Sequence, residues 1–208
     1  MGKPPSLAFE QAAAIPQAGV IAYRAIRSTG KVKRGQRVLI NGAGGSAGSF
    51  AIQLARLEGA HVTGVDNASK LEFMRSLGAD EVIDYEKEDF TRNGKQYDLI
   101  LDVIGHRSIF ESVRALRRDG TYYVVGGSSL VLLQALLLGS WIRHRKARLL
   151  IVPQNRQDLV SFTELCVAGS VVPAIDGRYT LSEVPEAMRA VAEGRAKGKV
   201  VISVTMEP

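Results

Sequence analysis

The segment from Gln36 to Arg56, QRVLINGAGGSAGSFAIQLAR, constrains this chain most, because it reads as a buried strand, a tight glycine turn and a helix in immediate succession. Val38 to Ile40 form an apolar run, the turn opens at Asn41-Gly42, and Phe50, Ala51, Leu54 and Ala55 mark one helix face. Gly45 and Gly48 permit a sharp turn and a close approach of helix to strand. The N–H groups near Ser46 and Ala47 then point out of the helix N-terminus, where a pyrophosphate fits. The pattern is Ala43-x-Gly45-x-x-Gly48, with alanine at the first glycine position of GxGxxG, and taken alone it also suits a turn that merely packs a helix on a sheet. The next apolar segment favours a dinucleotide. It runs from His61 to Asp66, and Asp66 lies about 20 residues beyond the turn, where a carboxylate accepts hydrogen bonds from an adenosine ribose.

The same rhythm continues along the chain. Strands are expected at 37–41, 61–66, 81–84, 97–104, 120–126 and 147–152, and helices at 46–58, 68–77, 106–117, 130–143 and 156–168, after a leading helix from about Ala8 to Arg27 bent near Pro16. Six strands with intervening helices predict an α/β fold with a doubly wound parallel sheet. Gly105 ends the fourth strand and Gly126-Gly127 end the fifth, so flexible backbone falls at the carboxyl edge, where ligands bind in such sheets. Beyond residue 170 the pattern changes to Val171–Ile175, an Asp176-Gly177 turn, a helix at about Ser182 to Glu193 and a strand from Lys199 to Val204. This predicts a dinucleotide-binding domain over 1–170 and an appended segment over 171–208.

At 208 residues and 46% hydrophobic content the chain can bury a sizeable core. A net charge of +6 invites nucleic acid, but the basic residues are interspersed with acids and no aromatic-basic module accompanies them, so small anionic ligands rank above nucleic acid. Cys166 is the single cysteine, which excludes an intramolecular disulfide, points to packing rather than nucleophilic attack, and suits a reducing cytoplasm. His61, His106 and His144 lack ligand spacing, so no metal is assigned. The start, MGKPPS, lacks the apolar run of a signal peptide. Leu130 to Ile142 is about 13 residues long, short of the roughly 20 needed to cross a bilayer.

Several further stretches join the glycine turn: Ala12–Pro16, Arg75–Tyr85 (RSLGADEVIDY), Asp102–Gly105 (DVIG) and Gly194–Ile202 (GRAKGKVVI). Together they resemble the medium-chain dehydrogenase/reductases, and within them the zinc-independent quinone oxidoreductase and NAD(P)-dependent alcohol dehydrogenase branch, over about Leu7 to Val204. The resemblance implies hydride transfer between nicotinamide and a quinone, enone or carbonyl compound. It also implies that an N-terminal catalytic domain is missing from this chain, with the tail returning to it. It carries Ala43, Gly45, Ser46, Ala47 and Gly48 over as the pyrophosphate loop, Ser46 being free to add a hydroxyl. Asp66 corresponds to the ribose reader, and Lys70 and Tyr85 to contacts of a 2′-phosphate. Gly105, Gly126, Gly127 and Ser128 correspond to positions beside the nicotinamide and its ribose.

Ile21 replaces a threonine frequent in relatives, and Asn155, Gly198 and Lys199 are further candidates near the cofactor. NAD is favoured slightly over NADP, since Asp66 would repel a 2′-phosphate while Lys70 extends into water. With the polarising donors of relatives on the absent domain, no catalytic residue is assigned. The Leu130–Lys146 stretch is read as substrate cleft and subunit contact rather than a membrane surface, and the sixth-strand edge as a homodimer interface. Two other readings stand beside this one: a cofactor-binding module without catalysis of its own, and a methyltransferase, whose glycine turn and acidic strand end look alike through residue 66.

Overall fold

The structure, a computed structural model, describes residues 2–138, 146–153 and 156–204. Six strands, β1 (Arg37–Asn41), β2 (His61–Asp66), β3 (Glu81–Asp84), β4 (Tyr97–Asp102), β5 (Leu116–Val124) and β6 (Lys146–Leu149), form one sheet in the order β3-β2-β1-β4-β5-β6. All five pairings are parallel. Both faces are covered, as apolar runs without polar alternation require. Val38 and Ile40 join the core on one face while Leu39 joins the other; Leu99 and Leu101 likewise oppose Ile100, and Tyr123 opposes Tyr122 and Val124.

One face is covered by α3 (Ser46–Leu57), α2 (Ala18–Tyr23) and α7 (Arg156–Val167). Phe162 of α7 meets Phe50 of α3 edge-on at 5.1 Å, and Gly19 of α2 is so close that a Cβ would lie 2.3 Å from the Phe162 ring. An ion pair between Arg24, the residue just after α2, and Asp158 of α7 reinforces the same contact. α6 (Ser129–Leu138) packs beside β6 over the other face.

Several boundaries differ from expectation. The leading helix is broken into α1 (Phe9–Ala14) and α2, which continues as a π turn over Arg24–Ser28; the break falls at Pro16-Gln17, with Gln17 at φ 58°. The helix expected over 106–117 shrinks to α5 (Ile109–Ser112) and a 3₁₀ turn, because Leu116 already pairs with Tyr97 and opens β5. β4 stops at Asp102, whose carboxylate takes the N–H groups of Ile104 and Gly105 and turns the chain there. β5 likewise ends at Val124, two residues short of its expected end, and β6 ends at Leu149 rather than 152. The helix expected over 68–77 begins as a 3₁₀ turn, Ala68–Lys70, before α4 (Leu71–Ser76).

In the tail, β7 (Ile175–Thr180) runs parallel to β8 (Lys199–Ser203), joined through α8 (Val184–Ala192). Asp176-Gly177 is thus a register irregularity inside a strand rather than a turn. Arg178 of β7 bonds Glu10 of α1 at 2.8 Å, so the two ends of the chain meet. Residues 139–143 of the expected helix, His144 and Asn155 lie outside the described residues.

Candidate functional site

A cleft of about 930 Å³ runs along the carboxyl edge of the sheet. Its wall takes Asn41 from β1, Asp66 from β2, Tyr85 beyond β3, Val103 and Ile104 beyond β4, and Val125 beyond β5. At its centre α3 starts at Ser46 with Gly45 as N-cap and no side-chain cap. The first N–H groups of a helix have no intrahelical partner, so those of Ser46 and Ala47 are presented to the cleft. Ala43 and Gly48 do not line it; they set the turn. Ala43 is fully buried, and a Cβ on Gly48 would lie 2.2 Å from the Gly42 carbonyl oxygen.

On the β2 side, Asp66 and Lys70 form a buried pair, 9% and 5% exposed, with Lys70 Nζ 3.5 Å from Asp66 Oδ1. Lys70 therefore does not extend into water. It is drawn under the glycine turn, where a Cβ on Gly44 would lie 2.5 Å from Lys70 Cδ. Asp66 also accepts from the N–H of Gly44 and of Asn67, each at 2.9 Å. Tyr85 stands half-exposed at the rim.

On the β4 and β5 side the wall turns apolar with Ile21, Val103 and Val125. Asp102 lies beneath it, fully buried. Its Oδ1 accepts from Asn41 Nδ2 at 2.9 Å, from Ile104 N at 3.0 Å and from Gly105 N at 2.9 Å, and its Oδ2 from the Tyr122 hydroxyl at 2.8 Å. Burial first, and then the Asp102 charge, push the Tyr122 phenol above its ordinary range. Gly105 and Gly127 press backbone to backbone, a Cβ on Gly127 falling 2.6 Å from Gly105 Cα. Ser128 donates its N–H to the Gly105 carbonyl and accepts from Val131 N as the start of α6. Gly105, Gly126, Gly127 and Ser128 thus brace one another at the carboxyl ends of β4 and β5, with Gly105 buried and the other three exposed.

The tail closes the cleft from above. Gly198 N donates to the Gly44 carbonyl at 2.9 Å, and Asn67 Nδ2 to the Gly194 carbonyl at 3.4 Å. Ser46 Oγ donates to the Gly198 carbonyl at 3.0 Å, so this hydroxyl serves the tail rather than standing free for a phosphate. Lys199 does not line the cleft, though its neighbours Gly198 and Val200 do, and burial lowers its pKa.

Sequence reasoning missed Gly44, Asn67, Gly194 and Arg107. Arg107 bonds Asp89 at 3.0 Å and lies 5.6 Å from the Phe90 ring; its position two residues after Gly105 at a strand end was the available signal. An uncapped helix start flanked by a buried acid–lysine pair suits a pyrophosphate with a ribose beside it. Among the described residues no group of three or more His, Cys, Asp or Glu side chains could hold a metal ion, and no helix is long and apolar enough to cross a membrane.

A family model described as zinc-binding dehydrogenase matches residues 77–202. The chain is 34% identical over 230 residues to the mitochondrial NAD(P)H oxidoreductase RTN4IP1 of Mus musculus, covering 97% of this chain and 57% of that protein. It is 32% identical over 204 residues to a 2-methylene-furan-3-one reductase of Solanum lycopersicum, covering 96% of this chain and 48% of the relative. Its fold superposes on the quinone oxidoreductase of Coxiella burnetii with a TM-score of 0.88 at 29% identity, covering 99% of this chain and 64% of that one. The chain spans about half of the curated relatives' length.

Proposed function

The chain belongs to the zinc-binding dehydrogenase family, within the medium-chain dehydrogenase/reductases, and on that premise we propose that it is the NAD(P)(H)-binding portion of an oxidoreductase acting on a quinone, enone or carbonyl/alcohol substrate. The observation that carries the reading is the uncapped start of α3 at the centre of the cleft. Ser46 and Ala47 would hold the pyrophosphate by their N–H groups, with Ala43, Gly45 and Gly48 shaping the turn. Asp66 would take the adenosine ribose with Lys70 and Tyr85 beside it, and Gly105, Gly126, Gly127 and Ser128 would support the wall at the nicotinamide end. The bound cofactor supplies the hydride chemistry; the chain's own residues hold and orient it and keep water from the apolar end.

NAD is favoured by a small margin. Lys70 is committed to Asp66 and would have to leave it to meet a 2′-phosphate, and a dianion facing a carboxylate with a single cationic partner is still repelled. The activity is read as zinc-independent, after the branch that the sequence motifs resemble. A small-molecule substrate, a homodimer through the free edge of β6, and a reducing, cytoplasmic setting complete the reading; the mouse relative's name is mitochondrial. A second reading stands beside it, a cofactor-binding module with no catalysis of its own, since the cleft supplies a grip for a cofactor.

Parallel calorimetric titrations with NADH, NADPH and S-adenosylmethionine test this. Nicotinamide cofactors are expected to bind and S-adenosylmethionine not; the reverse would sink the oxidoreductase reading in favour of a methyltransferase. Binding of NADH without turnover of a quinone or enone would point to the bare module.

A further inference from the structure

Asp102 carries a charge that its surroundings hold in place but do not cancel. Its four donors are an amide, two backbone N–H groups and a phenol, all neutral, and all used as donors to an acceptor-only carboxylate. Among the described residues it forms no ion pair. The cleft-lining side chains with a fixed positive charge, Lys70 and Arg107, are each paired with another carboxylate, Asp66 and Asp89. Asp66 has a cation beside it; Asp102 does not.

The place of this charge in the cleft decides what it can act on. A dinucleotide whose ribose lies at Asp66 and whose pyrophosphate lies at the α3 start extends its other half toward β4 and β5. Two of the groups held by Asp102, Asn41 and Ile104, line that part of the wall, and Val103 follows it directly. The neighbouring lining, Ile21, Val103 and Val125, is apolar, which keeps the local dielectric low and the reach of a buried charge long. The oxidised nicotinamide ring is a cation and the reduced ring is neutral.

We propose that Asp102 is a specificity-determining residue whose buried charge makes the cleft prefer the oxidised nicotinamide ring to the reduced one. The inference rests on the nicotinamide reading of the cleft and adds a redox-state bias to it. The bias lowers the reduction potential of the bound cofactor relative to the free one, because the oxidised form is held more tightly.

The test is calorimetric titration of the 208-residue chain and its Asp102→Asn variant with NAD⁺ and with NADH. Asparagine keeps an acceptor for the same turn and removes the charge. The expected result is that the ratio of the NADH to the NAD⁺ dissociation constant falls by roughly tenfold in the variant, nearly all of it through loss of NAD⁺ affinity. An equal loss for both forms, or no change in either, makes Asp102 a brace only and overturns the proposal. If the unmodified chain binds neither form, the nicotinamide reading itself fails and the proposal falls with it. Should Asp102→Asn lose its fold by circular dichroism, Tyr122→Phe decides: it keeps the carboxylate and removes one donor, so the preference for NAD⁺ must rise by about twofold or more. A preference unmoved or shifted toward NADH overturns the proposal.

Discussion

Asp66 and Asp102 close the two strands that flank β1, and both are buried, yet they are stabilised by opposite means. Asp66 meets two backbone N–H groups and an ammonium on a long, flexible stem. Among the described residues Asp102 meets only neutral donors, and these belong to two strands, β1 and β5, and to the turn after β4. The first arrangement is a local pair beside the cleft that can open toward solvent, since Lys70 lines the cleft wall. The second is a knot joining β1, β4 and β5, and the carboxylate at its centre cannot reach water without moving a strand. One carboxylate is placed to meet a ligand directly; the other holds the site in shape and can act on a ligand only through its charge.

Truncation separates the two most sharply. Asp102→Ala leaves Tyr122, the Asn41 amide and two N–H groups without their acceptor, and is expected to cost about 3 kcal/mol or more. Asp66→Ala frees a lysine that can turn outward, for a cost of about 1–2 kcal/mol. Urea unfolding of both variants against the unmodified chain measures the difference; equal midpoints would erase the distinction between brace and pair.

The strands that carry both residues were legible because parallel strands buried on two faces leave continuous apolar runs such as Val38–Ile40 and Leu99–Leu101. The glycine turn was legible because Gly48 has no room for a Cβ. The start of β5 was not, since Arg117, Arg118 and Asp119 are exposed polar residues that look like a helix end and loop, and only the pairing of Leu116 with Tyr97 makes them strand. Nor was the fate of Lys70. A lysine four residues after an aspartate reads as a helix-surface side chain, and its burial depends on Gly44 leaving space beneath the turn. The tail's grip on the turn, through Gly198 and Gly44, joins residues too far apart in sequence for any local pattern to announce.

The coenzyme test sharpens the Asp66 half of the comparison. Lys70→Met keeps the stem and removes the ammonium, so Asp66 then faces the cleft with its full charge. NADPH affinity is expected to fall roughly tenfold more than NADH affinity. Asp66→Ala should move the ratio the other way, weakening NADH more than NADPH. Parallel fluorescence titrations of both variants read the ratio, and a ratio unmoved in each would remove the pair from the ribose end of the site.

The smallest effect is expected between the two carboxylates, at Ser46. Its hydroxyl donates to the Gly198 carbonyl and so fastens the tail to the α3 start, while its backbone N–H is presented to the cleft. Ser46→Ala removes the first and keeps the second. Stability should fall by about 1 kcal/mol, the worth of one hydrogen bond that is partly replaced by water. Gly198 N still holds Gly44, so the tail should stay in place with faster amide exchange near Gly198. NADH affinity should change by no more than about twofold, with NAD⁺ moving in step, because neither carboxylate is touched. A large loss of cofactor affinity in this variant would mean that the hydroxyl leaves the tail for the phosphate when the cleft is filled, and the centre of the site would then be as adaptable as its Asp66 end.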